Sequence, residues 1–266
     1  MAEAVDAPFD RPDVGFNALP GWTWVGCYGG YYLQADLLAA FEHGFFNRQW
    51  QGRGPEVLAG YVSAGVSVHR PQQVHGALVL PASAAAAEPW PEADGLCSDA
   101  PGQSLWVCGA DCTPVLLADP RSGRVAACHA GWRGVAGRIL AEAVGQLQRA
   151  GARSEELLVA LGPAISGAAY QVEQAVAEQV AAGLLAEPAT SLQRLHQAGV
   201  LLEDPEPGRV RLDIRQAARL QLQELGIPEA QISLCPLCTH AEPELFHSWR
   251  RDQVKAVQWS GIVAQG

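Results

Sequence analysis

The sequence predicts an α/β fold of the α+β kind, in which a mixed or antiparallel sheet is covered by helices, and three observations carry that prediction. Two apolar runs, 114–118 and 125–128, flank the turn Asp119-Pro120-Arg121-Ser122-Gly123-Arg124, a hairpin signature. Val135, Ile139, Leu140, Ala143, Val144 and Leu147 then recur at helical spacing until Gly151 closes the segment. No Gly-x-Gly-x-x-Gly joins a strand to a helix, so a doubly wound nicotinamide- or flavin-binding sheet has no support.

In chain order, residues 1–20 alternate acidic, Pro and Gly positions and read as a loosely held arm, with one domain expected over 21–266. A helix is expected around 33–41 and a strand over 67–74, followed by an irregular stretch, 81–95. Strands at 105–108, 114–118 and 125–128 lead into the helix that opens after Gly131. A strand at 157–161, helices at 170–184 and 213–225, the last stopped by Gly226-Ile227-Pro228, and a strand at 231–235 complete the expectation. No repeat of solenoid or propeller length is present.

Composition narrows the function classes. At 266 residues, 48% hydrophobic and 17% charged, the chain can bury roughly three-quarters of its unfolded surface. A formal charge of -10 removes the general attraction to phosphate backbones and anionic lipid, so nucleic acid and membrane are not expected partners. A single lysine, Lys255, leaves no P-loop or Ser-x-x-Lys motif. The seven cysteines are an odd, unevenly spaced set in a chain too large to need a disulfide framework, and they read as reduced thiols. The first 20 residues lack a secretory n-region and h-region, and the longest apolar run, 157–170, is broken by Gly162, Pro163 and Gly167. A soluble cytoplasmic protein is therefore expected.

The hairpin supplies the first chemistry. With Asp119 opposite Arg124, Cys112 falls opposite Gly131 and diagonal to His129, so thiol and imidazole should be neighbours on one face. His75, in Gln72-Gln73-Val74-His75-Gly76, would stand where a strand ends at a sheet rim. Two imidazoles and one thiolate form a set that zinc accepts, with a fourth position left for water or substrate. The other reading of the same residues is a packed histidine and a cysteine acting as a small hydrophobe. The glycine-flanked turn Ala130-Gly131-Trp132-Arg133-Gly134 opens a helix and would welcome an anion, or is simply a tight strand-to-helix turn.

Several motifs carry a family resemblance: Gln73-Val74-His75-Gly76, Ala110-Asp111-Cys112-Thr113-Pro114, His129-Ala130-Gly131-Trp132-Arg133-Gly134, Leu161-Gly162-Pro163-Ala164-Ile165, and Cys238-Thr239 before Arg250-Arg251-Asp252. Together with His43-Gly44-Phe45-Phe46-Asn47-Arg48, they resemble, in order, the laccase-domain or polyphenol oxidase YfiH-type family over about residues 40–255. The resemblance implies one four-layer α/β/β/α domain with mixed sheets and a zinc bound by His75, Cys112 and His129. It also implies phosphorolysis of adenosine, inosine, guanosine and methylthioadenosine, a transferase activity, with adenosine deaminase (hydrolase) activity alongside. Ala168-Ala169 stand where the family has a cysteine pair, and Ala218 where it has an asparagine; both departures bear on substrate preference.

For phosphate without lysines, Arg48 is the first candidate, with Arg133 and Arg250 next. Asp111 could act as general acid or base, or orient a ligand imidazole, although strand alternation sets it on the opposite face from Cys112. Gln73, two residues from His75, could contact the base, and Cys238 could line the pocket. Copper oxidation of phenols is disfavoured, because the only methionine is Met1 and the seven histidines include no His-x-His pair. A single copper in the zinc site, adventitious or alternative, stays open. The segment Cys235-Pro236-Leu237-Cys238-Thr239-His240-Ala241-Glu242 superficially resembles a zinc deaminase signature, but in reversed order. Two further readings remain: Cys112 as a nucleophile activated by His129 in a cysteine hydrolase, and a binding module that has kept the fold.

Overall fold

Strand alternation decides the architecture. In the computed structural model, which describes residues 19–27, 30–184 and 191–266, most strands pack a side chain on each face, so each sheet is covered twice. The elements are β1 (Trp22–Cys27), β2 (Gly30–Ala35), β3 (His43–Phe46), α1 (Pro55–Val62), β4 (Ser67–His69), β5 (Val79–Pro81), β6 (Gly95–Cys97) and β7 (Gln103–Gly109). Next come β8 (Thr113–Ala118), β9 (Val125–Ala130), α2 (Trp132–Ala136), α3 (Ile139–Arg149), β10 (Leu158–Leu161), β11 (Gln171–Glu173), α4 (Gln174–Leu184) and α5 (Ser191–Gln197). The chain continues through β12 (Leu201–Glu203), β13 (Arg209–Leu212), α6 (Ile214–Glu224), β14 (Ile232–Leu234), α7 (Trp249–Asp252) and β15 (Gln258–Val263).

One six-stranded sheet runs β1-β2-β3-β15-β7-β4 and the other β14-β10-β8-β9-β6-β5, with a small third sheet, β11-β13-β12, beside them. Leu105 and Val107 of β7 meet Leu116 and Ala118 of β8 in a core between the two large sheets. Trp106, pointing the other way, packs with Phe46, Trp50 and Leu58 under α1. Val115 and Leu117 face Ile139, Val144, Val180 and Leu222 of the helices on the far side. The layers are therefore α/β/β/α, with mixed sheets as expected: β4–β7, β5–β6 and β10–β14 are parallel and the remaining pairs antiparallel.

Several expected elements change. The 33–41 helix is β2 followed by a short 3-10 turn, because Leu33 and Ala35 alternate into the inter-sheet core while β2 pairs with β1. The 67–74 strand stops at His69; Pro71 has no N–H to offer a ladder, and beyond it only Gln72 keeps an isolated bridge, to Glu92. The helix after Gly131 is two helices, α2 and α3, broken where Arg138 adopts a left-handed φ of 65° and donates from Nη1 to the Gly183 carbonyl at 2.9 Å. Residues 171–173 begin the 170–184 segment as strand, not helix. Nearly all of the expected 1–20 arm lies outside the described residues. All seven cysteines are free, and among the described residues no helix is long and apolar enough to cross a membrane.

α2 and α4 touch through Gly183, where a Cβ would fall on the carbonyl oxygen of Ala136. Gly183→Ala is therefore expected to destabilise the fold by about 1–3 kcal/mol, read as a lowered urea midpoint with an unchanged slope; an unaltered midpoint would show that the helices part freely.

Candidate metal centre and adjoining cavity

The β8–β9 hairpin closes in the expected register. Asp119 N–H donates to the Arg124 carbonyl, and the Asp119 carboxylate accepts from Arg121 N and Ser122 Oγ, which fixes the turn. Thr113 then pairs with Ala130 and Pro114 with His129, so Cys112, just before β8, lies diagonal to His129 on the same face. His75 arrives from a loop rather than a strand end, in a left-handed conformation with φ 60°. Its imidazole meets His129 edge-on, ring centroids 4.8 Å apart, and the candidate ligand atoms of His75, Cys112 and His129 all lie within 4.8 Å of one another.

Asp94 organises this group. It is fully buried, and its carboxylate accepts from the backbone N–H of Val74 (3.2 Å), His75 (3.0 Å) and Gly76 (2.6 Å) and from His129 Nδ1 (2.8 Å). One side chain thus stabilises the unusual backbone at His75 and fixes the His129 ring, leaving Nε2 of His129 to face the thiol. Nothing in the sequence marks Asp94, since it lies in the stretch that reads as irregular and its partners are 18 to 35 residues away.

Charge in the group is set by burial against pairing. Burial opposes ionisation of Cys112, but the charge of His129 and hydrogen bonds from His129 and His75 outweigh it and bring the thiol well below its usual range. Burial likewise opposes a charged His129, and is outweighed by the Cys112 thiolate and Asp94, which raise it. For Asp94, burial is overcome by the His129 and Gly76 hydrogen bonds, so its carboxyl stays below the usual carboxylate value. A ready thiolate, an imidazole held by a carboxylate and a second imidazole fit zinc by the chemistry of the donors. The surroundings fit as well: a Cβ at Gly131 would stand 2.8 Å from Cys112 Sγ, so the glycine keeps the sulfur clear.

A cavity of about 300 Å³ adjoins the group, lined by His75 and Cys112 together with Trp132, Arg133, Tyr170 and Arg250. Arg133 stacks on Trp132 (4.4 Å to the centroid) and Arg250 on Tyr170 (4.9 Å). Burial, and then the nearby Cys112, push the Tyr170 phenol up to about 12, so it stays protonated. The aromatic wall was not anticipated from sequence.

The other expected residues sit elsewhere. Arg48 does not line this cavity; its backbone N–H donates to the Leu245 carbonyl and its guanidinium to that of Pro243. Gln73 turns its amide to the backbone of Cys108, donating to its carbonyl and accepting from its N–H at 2.7 Å each, and does not line this cavity. Cys238 lies in the helix-side core and accepts from Ser166 N, outside the cavity wall. Asp111 does line the cavity, but its carboxylate accepts from Thr239 Oγ1 and Arg250 N. Among the described residues, 235–242 forms no metal-ligand group.

Comparison with known proteins identifies the family and the fold. Residues 56–265 match the family described as multi-copper polyphenol oxidoreductase laccase. The purine nucleoside phosphorylase slr1573 of Synechocystis is 42% identical over 256 residues, 91% of this chain and 97% of that protein. The purine nucleoside phosphorylase YlmD of Geobacillus stearothermophilus is 36% identical over 164 residues, 61% of this chain and 56% of that protein. Its crystal structure superposes with a TM-score of 0.76 at 27% identity, covering 91% of this chain and 96% of that one. The hypothetical protein YfiH of Bacillus licheniformis gives 0.76 at 26% identity, covering 88% and 96%. A match over four-fifths of the sequence, carried on the same layered architecture, places this chain in the multi-copper polyphenol oxidoreductase laccase family.

Proposed function

We propose that the chain is a zinc-dependent purine nucleoside phosphorylase acting on adenosine, inosine, guanosine or methylthioadenosine, with adenosine deamination as a side activity. The carrying observation is the His75, Cys112, His129 group opening onto a cavity walled by aromatic rings and two arginines, in a chain whose relatives are named purine nucleoside phosphorylases. Zinc on these three residues would supply Lewis acidity and an activated water. Arg133 and Arg250, placed over the rings of Trp132 and Tyr170, carry guanidinium N–H groups suited to contact with phosphate. The rings of Trp132 and Tyr170 offer apolar surface for a purine. Asp94 holds the His129 proton on Nδ1.

Chromatography of products from a nucleoside panel, with and without phosphate, combined with elemental analysis, tests the proposal. Free base and ribose-1-phosphate formed only with phosphate, by protein carrying zinc, is the expected result; inosine alone from adenosine, or full turnover by metal-free protein, would reject it. Arg133→Ala is expected to raise the KM for phosphate about tenfold and that for nucleoside less; equal changes in both would remove Arg133 from phosphate binding.

One observation favours a second reading. Cys112, His129 and Asp94 stand in the order of a thiol nucleophile, its base and an orienting carboxylate. Chelation that abolishes turnover supports the metal enzyme, whereas turnover by metal-free protein that alkylation blocks supports the nucleophile.

A further inference from the structure

Asp111 sits between the metal centre and the cavity arginine, and its hydrogen bonds indicate what it does. It is buried, 8% exposed, and precedes Cys112 with a φ of 112°, a value uncommon outside glycine. Three separate segments converge on it. Thr239 Oγ1 donates to Oδ1 at 2.6 Å, Arg250 N donates to Oδ2 at 2.7 Å, and Ile165 N donates to the Asp111 carbonyl at 2.9 Å. The Trp249 N–H reaches the neighbouring Ala110 carbonyl at 3.4 Å. The side chain of Arg250 is then directed across Tyr170, with Nη1 donating to the Gln171 carbonyl at 2.8 Å.

Resting on the reading of Arg250 as a phosphate contact, we propose that Asp111 is a positioning residue: it fixes the backbone at Arg250 so that the guanidinium and the Cys112 sulfur are set as one rigid unit, and it carries no proton in the reaction. The chemistry of its partners supports this role. Each carboxylate oxygen accepts from a different segment, Oδ1 from Thr239 and Oδ2 from Arg250 N–H, so the side chain is pinned in one orientation as a tie between them. A hydroxyl can accept as well as donate, so an asparagine could give its Nδ2–H to Thr239 Oγ1 and keep its oxygen on Arg250 N–H. Alanine could replace neither bond and would tolerate the backbone poorly.

The test uses zinc-loaded protein and the variants Asp111→Asn, Asp111→Ala and Arg250→Ala. Hydrogen exchange is followed in the peptide 248–253, inorganic phosphate binding by calorimetry, and nucleoside turnover against pH. In Asp111→Ala, exchange in that peptide should quicken about tenfold or more and phosphate affinity fall about tenfold, close to Arg250→Ala. Asp111→Asn should recover most of both losses and keep both limbs of the pH profile. Unchanged exchange in Asp111→Ala, or a limb missing from the pH profile of Asp111→Asn, overturns the proposal. Wild-type phosphate affinity in Arg250→Ala overturns the phosphate reading instead, and exchange at 248–253 still decides whether Asp111 holds that backbone. If Asp111→Ala does not fold, the pH profile and phosphate affinity of Asp111→Asn still decide between the two roles.

Discussion

Replacing Cys112 by alanine is expected to strip the protein of zinc and reduce nucleoside turnover by at least about a thousandfold, because a Lewis acid contributes several kcal/mol to such a reaction. The fold should survive, since Cys112 lies at the entry to β8 and not in the central register of the hairpin. Loss of the thiolate also removes the main partner that keeps His129 charged in metal-free protein. Metal uptake by wild-type protein must release that imidazolium proton, so zinc affinity should rise with pH in wild type. Elemental analysis, turnover and circular dichroism on the same preparation check this. Retained zinc with full turnover would remove Cys112 from the ligand set.

Asp94→Ala should have the largest effect on stability. Four donors, the part-buried N–H groups of Val74, His75 and Gly76 and the buried His129 Nδ1, would lose a fully buried acceptor. Removing one member of such a buried charged group costs about 3–5 kcal/mol, and metal affinity should fall about 10–100-fold through the unsupported ligands. Asp94→Asn has the milder fold defect, because an amide oxygen still accepts but its NH₂ faces donors. The folded carboxyl lies below its ordinary 3.8, so its stabilising contribution is present above that pH and is lost as pH falls through the lower folded value. Wild type should therefore lose stability in acid more steeply than Asp94→Asn. Urea titrations of the metal-free proteins between pH 3 and 7 measure this, and parallel curves would assign the bonds no net energy.

The local parts of this molecule were readable before the fold was known. The β8–β9 register follows from a turn and two contiguous apolar runs, and it brings Cys112 to His129 without long-range information. The helix at 213–225 was equally legible, from its periodicity and its Gly-Ile-Pro stop; Asp213 proves to be its N-cap. What stayed hidden depends on pairing between distant segments. Leu33 looks helical until β1 pairs beside it, and β15, near the end of the chain, joins β3 to β7 over long stretches of sequence. Arg48 and Gln73 had the right chemistry for a ligand, but backbone carbonyls and amides claim them. Asp94 had no local signature, because the loop and ring it supports are far from it in sequence.

The 119–124 turn stands at the other end of the hairpin from Cys112 and His129, roughly 20 Å away at the rise of an extended strand. Adding or deleting a single residue there would slide one strand against the other and rotate alternate side chains to opposite sides. Sulfur and imidazole would then look away from each other although neither had been altered. The spacing of the six residues 119–124 is in that sense a ruler for a pair of side chains that the turn never touches.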